Sequence, residues 1–284
     1  MEQARAPFEA LLPAEMARKA EQIGVTKAGQ DGLTTFALAV LAGAFIALGA
    51  MFATTTLAGS ATLPYGVARL LAGVAFSLGL ILVVVAGAEL FTGNNLISMA
   101  WASRRVSTAR MLRNWAIVYA GNFAGAIATA ALVYYSKQYT FGHGEVGETA
   151  LTIGATKTGL GFGQAIALGA LCNALVCLAV WLCYSARTTT DKILAIIPPI
   201  AAFVAAGFEH SVANMYFIPL ALFVKQDQAF TATIAKPPDT STLTWGRFVG
   251  ANLVPVTIGN VVGGAVMVGA IYWFVYLRAA PAQE

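Results

Sequence analysis

Charge is what this sequence has least of. Seventeen Lys and Arg and thirteen Asp and Glu make only 11% of 284 residues, against 58% hydrophobic ones. That is too little polar surface to cover a water-soluble globule of this length, and it excludes one. Cysteine is nearly as scarce. Cys172, Cys177 and Cys183 lie in one apolar stretch, at spacings that suit neither a metal site nor a bridge between loops, and read as small apolar helix residues. No nucleophile, metal-ligand set or nucleotide motif stands beside the few acids and two histidines, so an enzyme is not expected and neither is a cofactor. The basic residues lack the interleaved aromatics that suit nucleic acid, which is not an expected partner.

What is present is a series of long uncharged intervals. They run for 37 residues from Asp31 to Arg69, 23 from Arg113 to Lys137, 29 from Lys157 to Arg187 and 30 from Arg247 to Arg278. Each holds one helix of about 20 residues, the length that crosses an apolar core of about 30 Å. Two more apolar stretches are interrupted by one acid each, Glu89 and Glu209, and count as one broken span apiece. The sum is six crossings in a chain read as a single membrane domain over residues 1–284.

Residues 1–30 read as an N-terminal segment without the pattern of a cleavable signal. Positions 13–23 form a short amphipathic helix, with Leu11, Leu12, Met16 and Ile23 placed on its membrane face. Arg5, Arg18, Lys19 and Lys27 before the first span, and Arg104, Arg105, Arg110 and Arg113 after the second, put both regions in the cytoplasm. Arg187, Lys192 and Arg278 fit the same side, whereas the first loop is read as holding only Arg69. Two longer outer loops are read around 137–157 and 225–247. Trp101, Trp115, Tyr134, Tyr135 and Trp245 suit interfacial anchors against membrane lipid. The location expected is a bacterial inner membrane, crossed several times, with both termini cytoplasmic.

The two halves of the chain repeat each other. Gly87-Ala88-Glu89 in the second span matches Gly207-Phe208-Glu209 in the fifth, 120 residues later, and Gly121-Asn122-Phe123-Ala124-Gly125 matches Gly259-Asn260-Val261-Val262-Gly263, 138 residues later. Three spans per half is an odd number, so the copies run oppositely through the bilayer. Matched interruptions of this kind point to a binding site, because unwound backbone at membrane depth is tolerated only where protein or a cavity surrounds it. The breaks are placed at Glu89 to Asn94 and Glu209 to Asn214, meeting near mid-membrane.

Glu89, Glu209 and His210 are the strongly ionisable side chains expected deep in lipid, where a carboxylate costs about 2.5 to 3.5 kcal/mol on insertion scales. The glutamates are read as acceptors for backbone N–H groups left open by the breaks. His210 exchanges a proton near neutral pH, and Thr92 in the matching break supplies a hydroxyl to face it.

Ala86-Gly87-Ala88-Glu89-Leu90-Phe91-Thr92-Gly93-Asn94, the segment from Gly207-Phe208-Glu209-His210-Ser211 to Asn214-Met215, and Pro255-Val256-Thr257-Ile258-Gly259-Asn260 resemble the three signatures of the formate/nitrite transporter family. The likeness runs from Leu11-Leu12-Pro13 to Tyr272-Trp273. It implies an all-α, aquaporin-like fold of six transmembrane helices in an inverted 3+3 arrangement, with broken second and fifth helices, assembled as a homopentamer with a pore in every protomer. It also implies His210 and Thr92 at the pore centre, and Phe76, Leu80 and Phe203 as apolar constrictions. Lys157 is then an outer anion lure and Asn173 and Asn260 are polar neighbours, with Glu89, Glu209 and Asn214 at the breaks. Thr92-Gly93-Asn94 is closer to the nitrite-channel wording, whereas the N-terminal segment and Gly207-Phe208-Glu209 resemble the formate channel. The expected substrate is a small monovalent anion, formate first and nitrite, acetate, lactate or hydrosulfide as alternatives, neutralised in passage by a proton from His210. A water or glycerol channel of the same architecture would use two Asn-Pro-Ala signatures that this chain lacks.

Overall fold

The computed structural model describes residues 9–278, so Arg5 and the rest of residues 1–8 of the N-terminal segment lie outside the described residues. Among the described residues every regular element is helical. Helix α1 spans Pro13–Gly29, with Pro13 at its first turn and the Glu15 carboxylate accepting from Leu12 N–H at 2.8 Å. Asp31 then caps α2, Gly32–Leu57, by accepting from Thr34 N–H. Helix α3 follows at Tyr65–Ala86, α4 at Phe91–Asn94, α5 at Ile97–Ala102 and α6 at Thr108–Tyr135. The second half consists of α7 Glu145–Thr158, α8 Phe162–Ser185, α9 Thr189–Ala205, α10 Ser211–Gln226, α11 Gln228–Thr231 and α12 Trp245–Tyr276.

Among the described residues, five helices are long and apolar enough to cross a membrane: α2, α3, α6, α8 and α12. Helices α9 and α10, of 17 and 16 residues, follow one another in series across a short gap. Leu33, Leu41, Phe52, Leu70, Leu132 and Phe274 point outward, while Thr, Ser, Asn, Glu and His side chains sit fully buried within. That distribution is the reverse of a soluble domain's.

Helix α2 packs on α3 and α6, α8 packs on α9 and α12, and α3 lies along α9. These close approaches need side chains of no size. A Cβ on Gly125 would run into the Val40 carbonyl oxygen of α2, and one on Gly263 would run into the Ala170 carbonyl of α8. Small residues four apart let membrane helices approach to backbone distance. Gly125→Val is therefore expected to cost about 3 kcal/mol of stability by overpacking, read as a lower melting midpoint in detergent. Gly163→Ala, where the added Cβ meets nothing within 4 Å, should leave the midpoint in place.

Several elements differ from the sequence expectation. Helix α1 continues to Gly29 rather than ending at 23, and Met16 packs in a protein cluster with Leu96, Trp181 and Val268 instead of facing lipid. The apolar face of α1, carried by Ala17, Ala20, Gly24 and Ala28, is small enough to sit directly on α5. The outer segment read as loop contains α7, whose first turn holds Glu145 and Glu148 and whose last holds Lys157, the charge order that suits a helix dipole. Arg69 belongs to α3, not to the preceding loop. Beside α7, Lys137 donates to the Tyr139 hydroxyl and to Asp227, and the Tyr139 hydroxyl donates to the same carboxylate. The Tyr139 hydroxyl, Phe230 N–H and Lys137 hold Asp227 down to about 2. A depressed carboxylate stabilises above its unfolded value of about 4 and stops only as pH falls through the folded one, so this clasp persists in mild acid.

Candidate functional site

Helices α3 and α9 both stop at a glycine with positive φ, Gly87 at +81° and Gly207 at +74°, the left-handed position that ends a helix without a Cβ penalty. Chain resumes as helix at Phe91 and at Ser211. The interruptions are thus Gly87–Leu90 and Gly207–His210, a few residues earlier than the sequence suggested, and Thr92, Asn94 and Asn214 fall in the first turns of the helices that follow. The glycine, rather than the acid after it, decides where the helix stops.

Each gap is held by the same contacts. Asn122 of α6 accepts from Phe91 N–H through Oδ1 and donates through Nδ2 to the Ala39 and Glu89 carbonyls. Asn260 of α12 accepts from Ser211 N–H and donates to the Gly169 and Glu209 carbonyls. Glu89 accepts from Lys27 at 2.7 Å and from Asn94, which also donates to Asn114. Glu209 accepts from Lys157 at 2.7 Å, from Asn214 and from Asn252, while Asn214 also donates to Asn252. The carboxylates therefore take side-chain donors and not the open backbone N–H groups expected of them. Those groups go to Asn122 and Asn260 instead. A buried charge with its lysine and one amide at Glu89, or two at Glu209, is offset; without them it would be prohibitive.

His210 is the N-cap of α10. Its Nδ1 accepts from Ala213 N–H at 3.1 Å, which places the ring hydrogen on Nε2, and Nε2 lies 3.0 Å from Thr92 Oγ1. Both side chains are buried, at 2% and 0% exposure. The contact joins the two halves of the chain; one cavity reaches His210, and another is lined by Leu90 and Gly93, which flank Thr92 in sequence. One, of about 600 Å³, is lined by Phe76, Phe203, Phe217, Lys157, Glu209 and His210. The other, of about 420 Å³, is lined by Leu80, Leu90, Val83, Lys27 and Glu89. Phe76 meets Phe203 edge-on at 5.5 Å between ring centres, and Phe203 stacks on the His210 ring at 6.0 Å.

Among the residues picked from sequence, His210, Thr92, Phe76 and Phe203 come together, with Lys157 and Glu209 as an ion pair in the same cavity and Glu89 and Leu80 in the other. Asn260 does not face either cavity, because all its polar atoms are spent on backbone. Asn173 donates to the Thr92 and Asn260 carbonyls and to Asn95, behind the contact. Lys27, Asn114 and Asn252 lie outside the sequence-based candidates, and Asn122 enters them only through the repeat. Lys27 had a signal: it precedes α2 by the same interval at which Lys157 precedes α8.

An apolar exterior around a buried, duplicated polar interior with two cavities defines a membrane protein that handles a small polar solute. The formate/nitrite transporter family model matches residues 14–274, and the chain belongs to that family. It is 45% identical over 275 residues to the formate channel FocA of Escherichia coli K12, covering 96% of each chain. It is 40% identical to the uncharacterized transporter YrhG of Bacillus subtilis, covering 93% of each. A solved structure described as a pentameric formate channel with formate bound superposes with a TM-score of 0.82 at 44% identity, over 87% of this chain and 98% of that one. An FNT family ion channel superposes with a TM-score of 0.78 at 29% identity, over 92% and 98%.

Proposed function

We propose that the chain is a channel for small monovalent anions of weak acids, formate first, with a separate path through each protomer of a homopentamer in a bacterial inner membrane. Residues 1–284 form one channel domain. In this reading α9 and α10 make the crossing that the five long helices leave short, the six crossings form an inverted 3+3 arrangement with broken second and fifth members, and both termini are cytoplasmic. The observation that carries the reading is the His210 to Thr92 contact at 3.0 Å, with one cavity reaching His210 and another lined by the neighbours of Thr92, each headed by a lysine–glutamate pair.

A bare anion between Phe76, Phe203 and Leu80 would face a desolvation cost that one hydroxyl does not offset. Lys157, about 5.4 Å from the Phe217 ring centre, places an ammonium in the cavity wall as an N–H donor, with its charge balanced by Glu209. Desolvation raises the proton affinity of a weak acid's anion, so the neutral acid becomes the form that crosses. His210 Nε2–H and the Thr92 hydroxyl hold the anion. For the ring to carry a second proton, Nδ1 must give up its bond from Ala213 N–H, so proton uptake and loosening of the first turn of α10 go together.

Uptake of formate, nitrite, acetate, lactate and hydrosulfide into proteoliposomes, compared at two external pH values, tests the reading. Formate is expected to pass fastest, with uptake rising as external pH falls. Chloride passing at the formate rate with no pH dependence would replace the reading with a plain anion pore.

A further inference from the structure

The two cavities share one frame but carry opposite charge. The cavity on the Lys27 side holds three lysines, Lys19, Lys27 and Lys192, against the single carboxylate of Glu89. The cavity on the Lys157 side holds Arg69 and Lys157 against Glu145, Glu148 and Glu209. In each, the central lysine and glutamate are paired at 2.7 Å and cancel. What remains is two lysines on one side, and one arginine facing two glutamates on the other.

The frame makes the difference plain. Eight and nine residues before Lys27, α1 carries Lys19 and Arg18; at the same intervals before Lys157, α7 carries Thr149 and Glu148. Lys19 Nζ donates to the Tyr184 carbonyl at the end of α8, and neither it nor Lys192 pairs with a described carboxylate. Burial, Arg187 and Lys192 together push the Lys19 ammonium below its usual value, as positive charge gathered without compensation does. Arg69, by contrast, is tied by Nη2 to the Val204 carbonyl at 2.5 Å, where it neutralises the negative end of α9.

We propose that Lys19 and Lys192 form an anion-collecting site at the Lys27 mouth, so that the path captures a small carboxylate or similar monovalent anion from that side at lower concentration than from the Lys157 side. The inference rests on the channel reading above and adds an asymmetry to it. A mouth lined by one sign of charge with low-dielectric walls raises the local concentration of the opposite ion by about tenfold or more, and added salt removes the effect over a screening length of about 10 Å at 0.1 M. Because the path is passive, the asymmetry sets the concentration at which each mouth saturates, and the gradient alone sets the direction of net flow.

The test is the half-saturating concentration of labelled formate at each mouth, in proteoliposomes of neutral lipid at low ionic strength, with insertion direction read from the accessibility of a C-terminal tag. The Lys27 mouth is expected to saturate at a concentration lower by about threefold or more, a gap that closes at high salt. Lys19→Gln with Lys192→Gln should raise the value at that mouth alone, and Glu145→Gln with Glu148→Gln should lower it at the Lys157 mouth alone. The second pair lies in the first turn of α7 and reads the same asymmetry if the lysine variant assembles poorly. Equal values at both mouths in the unaltered protein, or a gap that neither pair of substitutions moves, would overturn the inference while leaving the channel reading intact. Absence of formate flux from either mouth would overturn the channel reading and this inference with it.

Discussion

His210→Asn is expected to leave an assembled protein that still admits the anion but loses the proton-linked part of its flux. Asparagine is a good N-cap, so Oδ1 can accept from Ala213 N–H as Nδ1 does, and its Nδ2 keeps a donor facing the path, though short of the position from which Nε2 meets Thr92. What it cannot do is take up or release a proton. Positioned proton donors contribute roughly 10²-fold to the steps they serve, and a loss of that order is the expected fall in pH-driven formate uptake. The variant's residual flux should become electrogenic, because the anion then crosses without its proton. His210→Phe removes cap, hydrogen bond and proton together and should abolish flux altogether. Wild-type uptake with an unchanged pH profile in His210→Asn would reduce the ring to a pore-lining polar group and end the protonation mechanism.

The residues that drive this result were the most legible ones in the sequence, and the reason is physical. An ionisable or strongly polar side chain in an otherwise uncharged interval of spanning length stands out at once, as Glu89, Glu209 and His210 do. Their contacts were less legible. Lys27 lies in a segment that reads as a membrane-surface helix, and only its distance from α2 links it to Lys157. Asn114 and Asn252 look like ordinary polar residues near helix starts until the fold sets them beside Glu89 and Glu209. The breaks fall a few residues before the positions that the acids suggest, because Gly87 and Gly207 end the helices by backbone conformation.

Where the halves agree, the residues hold structure. Lys27 and Lys157, Glu89 and Glu209, Asn94 and Asn214, Asn114 and Asn252, and Asn122 and Asn260 make matching bonds. Where they differ stand the two residues to which the proposed mechanism gives the chemistry. At the position of His210 the first half has Leu90, and at the position of Thr92 the second half has Val212. One imidazole and one hydroxyl therefore face each other where strict duplication of either half would set threonine against leucine or valine against histidine. Matching residues mark the scaffold; the proposed pair lies where the match fails.

That division predicts the largest stability effects at asparagines that touch no cavity. Asn260→Leu keeps the side-chain volume but strands Ser211 N–H and removes the donor to the Gly169 and Glu209 carbonyls. Leaving a buried polar group without a partner costs about 1 to 3 kcal/mol, so the stranded Ser211 N–H and Glu209 carbonyl together should cost about 2 kcal/mol or more, while Gly169, inside α8, keeps its helical bond. Asn122→Leu strands Phe91 N–H and the Glu89 carbonyl in the same way, with Ala39 inside α2 keeping its helical bond, and its cost should match. Both are read as lowered unfolding midpoints in detergent. Asn260→Asp is the sharper variant, since a carboxylate still accepts from Ser211 N–H but turns negative charge toward two carbonyl oxygens; it should be no better than leucine. If Asn122→Leu unfolded the protein and Asn260→Leu did not, the two gaps would owe their shape to different contacts, and the correspondence between the halves would be one of sequence alone. Equal losses would mean that each gap is fixed by a single side chain from the helix behind it, which is what allows Thr92 and His210 to differ freely in front.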